Sequence, residues 1–199
     1  MIKLFCATTN PGKLREFRQI MEHYGGPAFD LEVLPSLKSV EAPEETGETF
    51  EANAALKAVY YSRLADAPLF ADDSGLEVDA LGNAPGVYSA RYGGEHATDA
   101  ANNALVRERL RGVANRRGRF VCAIALADKG EVIATFRGEV EGRIIDDERG
   151  PNGFGYDPMF YHEPFGATFG EVPGERKLLV SHRAKALAAM VEFLKARVL

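Results

Sequence analysis

Two cysteines in 199 residues leave no material for a disulfide framework, and four scattered histidines (His23, His96, His162, His182) make neither a zinc-ligand cluster nor an HExxH spacing. Cys6 and Cys122 lie in apolar strand-like runs and read as small buried hydrophobes, so a reducing cytoplasm is the expected compartment. No apolar run reaches membrane-spanning length, which argues against a transmembrane helix and a membrane partner. Residues 1–7 are too short for a signal peptide and read as an opening strand. No GxSxG elbow supports a serine-hydrolase reading of Ser181-His182. A formal net charge of −5 argues against a broad basic face for nucleic acid, yet leaves room for a local cationic pocket holding a small polyanion. Low-complexity tracts, internal repeats and separating linkers are also missing, so a single domain over residues 1–199, of one lobe or two, is expected.

What is present alternates between strand and helix signals. Residues 2–7 read as a buried strand. Asn10 then makes a good N-cap and Pro11 a good first residue for a helix carrying Leu14, Phe17, Ile20, Met21 and Tyr24, stopped at Gly25-Gly26. A strand at 31–34 and a polar, acidic loop at 35–47 follow. The spacing predicts a second helix over 49–64, with Phe50, Ala54, Ala58 and Tyr61 as its apolar stripe. Thr49, Asn53 and Lys57 form a polar stripe beside it. A short strand over 69–71 is expected to end at an acidic turn, Asp72-Asp73-Ser74-Gly75, with 75–94 irregular. A third helix over 97–110 and a hairpin of strands 120–127 and 132–140 come next. A glycine-rich loop spans 148–158. The last helix carries Ala184, Leu187, Val191, Leu194 and Val198, with Ser181 as its N-cap. The sum is an α/β layered domain with a mixed sheet.

Five constellations carry chemistry. Asp72-Asp73-Ser74 closes an apolar strand, where carboxylates need a cation, a proton or a donor; oxygen ligands of this kind suit magnesium, while an Asx-type turn is the plainer alternative. Thr8-Thr9-Asn10-Pro11-Gly12-Lys13 joins a strand to a helix start and outlines an anion site, though not a Walker A loop; a well-capped helix with a surface lysine is the alternative. Glu44 and Glu45 precede the second helix, where they either complement its dipole or reach a metal. Gly150 to Asp157 offers glycines for close approach, Phe154 and Tyr156 for stacking and Asp157 as an acceptor, unless its aromatics simply plug the core. Lys177, His182 and Arg183 place cations at or before the last helix, which is unfavourable to its dipole unless an anion or carbonyl-rich ligand is shared.

Taken in order, these blocks resemble the inosine triphosphate pyrophosphatase (Ham1-like) family, in its bacterial branch. The resemblance runs through Thr8 to Lys13, Glu44 to Phe50 with Asn53 and Lys57, Ala71 to Leu76, Ala84 to Tyr92, Gly153 to Pro158 and Ser181 to Arg183. It implies an elongated two-lobed α/β fold around a twisted mixed sheet, with the site in a cleft between lobes. It further implies hydrolysis of ITP, dITP and XTP to the monophosphate and pyrophosphate, a Mg2+ requirement and a cytoplasmic homodimer. By the same resemblance, Thr8, Thr9, Asn10, Pro11, Gly12 and Lys13 cradle phosphates with Lys57 nearby. Asp73 is the general base and a metal ligand, helped by Glu45, with Glu44 the other candidate. Ser74, Phe154, Gly155, Tyr156, Asp157, Lys177, His182 and Arg183 surround base and sugar. Two rival readings are a nucleotide sensor that does not cleave and a Maf-type pyrophosphatase for other nucleotides.

Overall fold

The first apolar run forms strand β1 (Ile2–Cys6), buried along its second half. The computed structural model describes residues 2–198, without the Val198 side chain; Met1, expected in the opening strand, and the Val198 side chain, expected in the last helix's apolar stripe, lie outside what it describes. Asn10 keeps extended backbone and caps helix α1 (Pro11–Gly25), its side chain accepting from the Lys13 N–H, while Pro11 sits where no backbone donor is needed. Strand β2 (Phe29–Val33) follows. Helix α2 (Phe50–Ser62) is capped by Thr49, whose hydroxyl accepts from the Ala52 N–H.

Strand β3 (Leu69–Val78) corrects the expected acidic turn. The strand does not end after Ala71 but runs through Asp72, Asp73, Ser74 and Gly75, so the Asx-turn alternative falls. A Cβ at Gly75 would collide with the Ser89 hydroxyl. That hydroxyl accepts from the Leu76 N–H at 2.9 Å and donates to the Gly86 carbonyl at 2.6 Å. The glycine therefore marks the close approach of a second segment rather than a strand end. Residues 75–94 are correspondingly ordered: the strand continues to Val78, and short 3-10 turns cover Asp79–Leu81 and Gly86–Arg91.

Helix α3 (Asp99–Arg109) is capped by Thr98. Strands β4 (Arg117–Asp128) and β5 (Glu131–Ile144) are joined through Lys129 and Gly130, both at positive φ (50° and 87°), as a two-residue hairpin turn requires. Strands β6 (Phe160–His162) and β7 (Ala167–Thr168) and helix α4 (Gly174–Leu178) are too short for periodicity to signal and were not expected. Helix α5 (His182–Val198) begins directly after Ser181. The sheet runs β2-β1-β3-β4-β5-β6-β7. It is mixed: β1 is parallel to β2 and β3, while β5, β6 and β7 pair antiparallel.

The chain divides into two units, neither continuous in sequence. Unit 1 comprises Met1–Asp73, Cys122–Gly138 and His182–Leu199; unit 2 comprises Ser74–Val121 and Glu139–Ser181. In unit 1, Phe17 meets Phe70 edge-on with ring centroids 5.3 Å apart, and Lys195 Nζ donates to the Tyr24 carbonyl at 2.9 Å, tying α5 to α1. Cys6 and Cys122 are buried and unbridged, as expected, and burial pushes both thiols above their ordinary pKa. In unit 2, Phe120, Phe160 and Phe169 form an aromatic core with Leu76, Val106 and Tyr156, with Phe120 and Phe160 centroids 4.4 Å apart.

Candidate active site

Successive residues of a strand face opposite sides, so the neighbours Asp72 and Asp73 acquire different partners. Asp72 receives Lys13 Nζ of α1 at 2.7 Å. Asp73 accepts from Asn53 Nδ2 of α2 at 3.0 Å and lies 3.9 Å from Lys57 Nζ. The same ammonium donates to Glu45 at 2.6 Å. Glu45, Lys57, Asn53 and Asp73 thus form one buried-to-half-buried cluster in unit 1, built by the polar stripe of α2 and the strand it faces. Glu44 is exposed, whereas Glu45 turns toward the lysine. Asn53, fully buried, also accepts from the Gly47 N–H at 2.7 Å, which holds the loop bearing Glu45 against α2.

The two aspartates titrate in opposite directions. Burial pushes the Asp73 carboxyl up from 3.8 to about 6, against the pull of Lys57, the Asn53 amide and Lys13. Burial also opposes ionisation of Asp72, but Lys13, Lys57 and Arg183 outweigh it and hold this carboxyl below its ordinary value. Lys57 is itself disfavoured as a cation by burial, and Asp72, Asp73 and Glu45 reverse that, raising its pKa. Asp73 is therefore a carboxylate poised near neutral pH, while Asp72 is a fixed anion that offsets Lys13.

Where the chain enters α1, Thr8 and Gly12 are buried and Thr9, Asn10 and Pro11 exposed, with the Asn10 N–H donating to Thr8 Oγ1 at 3.3 Å. His182 and Arg183 open α5 and are buried in the same unit; Arg183 donates to Glu16 of α1 at 2.8 Å. The remaining expected residues lie in unit 2. Ser74 is half-buried on β3. Lys177 of α4 donates to buried Asp157 at 2.6 Å, and its ammonium stands 5.5 Å from the Phe154 ring centroid. Asp157 also accepts from the Phe154 N–H at 2.9 Å. Tyr156 packs in the core and its hydroxyl donates to the Ser89 carbonyl at 2.7 Å, leaving Phe154, half-buried, as the more accessible ring of the loop. Lys177 thus neutralises Asp157 within unit 2, and Arg183 neutralises Glu16 within unit 1.

Among the described residues no group of three or more His, Cys, Asp or Glu side chains could hold a metal ion. Two carboxylates, Glu45 and Asp73, do share one ammonium. Magnesium typically takes one or two protein carboxylates and fills its other positions with water and phosphate oxygens, so this donor set fits such an ion. Sequence reasoning did not foresee the Asn53 bond to Asp73 or the Glu16 bond to Arg183. The first was signalled by the Asn53–Lys57 spacing; the second joins residues 16 and 183, and no local pattern reveals it.

The model of the Ham1 family matches residues 4–193. The chain belongs to the Ham1 family. It is 46% identical over 198 residues to a dITP/XTP pyrophosphatase from an Exiguobacterium species, covering 98% of this chain and 100% of that protein. A dITP/XTP pyrophosphatase from Geobacter sulfurreducens is 47% identical over 196 residues, 98% of this chain and 97% of the relative. Among Ham1 structures, one from Coxiella burnetii superposes with a TM-score of 0.88 at 36% identity, over 98% of this chain and 100% of the other.

Proposed function

We propose that this Ham1 chain hydrolyses the non-standard purine nucleotides ITP, dITP and XTP to the monophosphate and pyrophosphate, clearing them from the nucleotide pool. The observation that carries the chemistry is the Glu45–Lys57–Asn53–Asp73 cluster, in which a carboxylate titrating near 6 stands beside a lysine and a second carboxylate. A base with a pKa close to the working pH is both deprotonated and able to take a proton, which is typically worth about 10²–10⁴ in rate. Asp73 is the residue assigned to orient the attacking water and accept its proton. Glu45 and Asp73 would hold Mg2+, which when bound supplies charge neutralisation and activates water. Lys57, Lys13 and the N–H groups at the start of α1 offset phosphate charge before and during attack.

Base selection is assigned to hydrogen-bond polarity. Inosine and xanthine present a carbonyl at C6 where adenine presents an amino group. Donors from Arg183 and the His182 backbone match the first and oppose the second, at about 1–3 kcal/mol per mismatched buried group. Guanine shares the C6 carbonyl, so these donors do not by themselves reject it. Ser74, Phe154, Gly155, Tyr156, Asp157 and Lys177 are assigned to the nucleoside. A cytoplasmic homodimer and a single domain over residues 1–199 belong to the same proposal; the discontinuity of both units supports the latter.

Product analysis with dITP, XTP, dATP, dGTP and dTTP, with and without magnesium, tests the reading. Magnesium-dependent release of monophosphate and pyrophosphate from dITP and XTP is expected. Binding without release would indicate a sensor, and cleavage of dTTP or UTP with inert dITP would indicate a Maf-type activity.

A further inference from the structure

We propose that Asp99 and Asn103 of α3 are positioning residues that set the nucleoside-reading loop and thereby its discrimination between bases. Four residues apart, they share one helix face, and both address the same residue of the loop. The Gly155 N–H donates to Asp99 Oδ2 at 2.7 Å, and Asn103 Nδ2 donates to the Gly155 carbonyl at 3.2 Å. Gly155 has φ of +61°, a left-handed conformation that glycine adopts without strain and that leaves both its peptide groups pointing at α3.

An acidic residue in a first helical turn is ordinarily explained by the helix dipole alone. The dipole does not require Asp99 to reach a peptide N–H 56 residues away, and the structure shows that it does. Asn103 is 2% exposed; its buried Oδ1 has no partner among the described residues, and its Nδ2 is bonded to the same glycine. The residues on either side are secured separately, Phe154 through its N–H to Asp157 and Tyr156 through its hydroxyl to the Ser89 carbonyl. Release of the Gly155 grip would therefore free the backbone between two fixed points, and the Phe154–Asp157 pair, still bonded to each other, would no longer be held in place against α3. The catalytic cluster of unit 1 contributes nothing to this grip, so binding and base choice should suffer while turnover does not.

The role in discrimination rests on the proposed pyrophosphatase activity. The test uses Asp99→Ala, because Asp99 is exposed and its loss spares the core, with Asp99→Asn as the conservative variant that keeps an acceptor oxygen. Two readouts are taken: kcat and KM for dITP and dATP with magnesium, and amide hydrogen exchange of residues 153–157 in the nucleotide-free protein. A hydrogen bond to a charged group predicts, for Asp99→Ala, about tenfold higher KM for dITP, kcat within about twofold, and about tenfold faster Gly155 exchange. The dITP-to-dATP ratio of kcat/KM should fall, and Asp99→Asn should restore most of both effects. Unchanged exchange and KM in Asp99→Ala would overturn the proposal. So would an Asp99→Asn protein as impaired as the alanine variant, or a loss confined to kcat. An inert wild-type protein would instead defeat the pyrophosphatase reading, and the role in discrimination with it, even if exchange still reported the grip.

Discussion

Replacing Asp73 by asparagine should make the protein more stable while abolishing its chemistry. The carboxyl is 6% exposed, and burial raises its pKa from 3.8 to about 6. At about 1.36 kcal/mol per pH unit, ionised Asp73 costs the fold about 3 kcal/mol at neutral pH. Because the folded pKa is the higher one, the folded state binds more protons than the unfolded state between the two values. Stability therefore declines as pH rises from the ordinary carboxylate range through about 6, and is level above that. Asparagine removes the ionisation, fits the same space and keeps an oxygen for the Asn53 amide, and the attraction to Lys57 is already contained in the raised pKa. The net gain should be about 3 kcal/mol, or about 6–12 °C in Tm for a chain of this size. The assay is thermal unfolding of both proteins in chelator, from about pH 4 to pH 8, with dITP hydrolysis measured in parallel. The difference in Tm should be small at the acidic end and reach a plateau above about pH 6.5, and turnover should fall by about 10²–10⁴. A variant that melts at or below the wild-type temperature at neutral pH, or an offset independent of pH, would refute the buried-charge argument; near-wild-type kcat would refute Asp73 as the base.

The neighbouring substitution should act with the opposite sign. Asp72→Asn leaves Lys13 without its carboxylate and should cost about 3 kcal/mol in urea unfolding, the lower end for a broken buried pair because Lys13 keeps some solvent. Its folded pKa is the lower one, so this contribution is present above the ordinary carboxylate value and lost as pH falls through the folded pKa. Lys57→Met removes a cation that holds the Asp73 pKa down, so the acid limb of the kcat/KM profile, recorded at limiting magnesium, should move to higher pH. An unmoved limb would show that Lys57 does not sense Asp73 in the active protein.

Much of the fold was legible because its signals are local. Asn10-Pro11 before an apolar stripe and the Lys129-Gly130 turn state their geometry within a few residues, and the helix and the hairpin turn lie where those residues say; Thr49, expected inside the second helix, instead caps it. The strand β3 was misjudged because Gly75 reads locally as a breaker, whereas its hydrogen becomes the space for a hydroxyl fourteen residues further on. Strands β6 and β7 were missed because two or three residues cannot display a period.

The sequence by itself determined the family, the chemistry-bearing residue types and the α/β alternation, since all of these rest on residue identity and spacing. Tertiary structure alone decided which aspartate has its pKa raised and which has it lowered. Asp72 and Asp73 are the same residue side by side, and nothing in the chain's order distinguishes their acidity. Burial penalises both charges, but the fold delivers Lys13 Nζ to Asp72 at 2.7 Å and gives Asp73 a neutral amide and Lys57 Nζ at 3.9 Å. An ionisation equilibrium depends on distances to other charges, and those distances exist only once α1, α2 and β3 have packed.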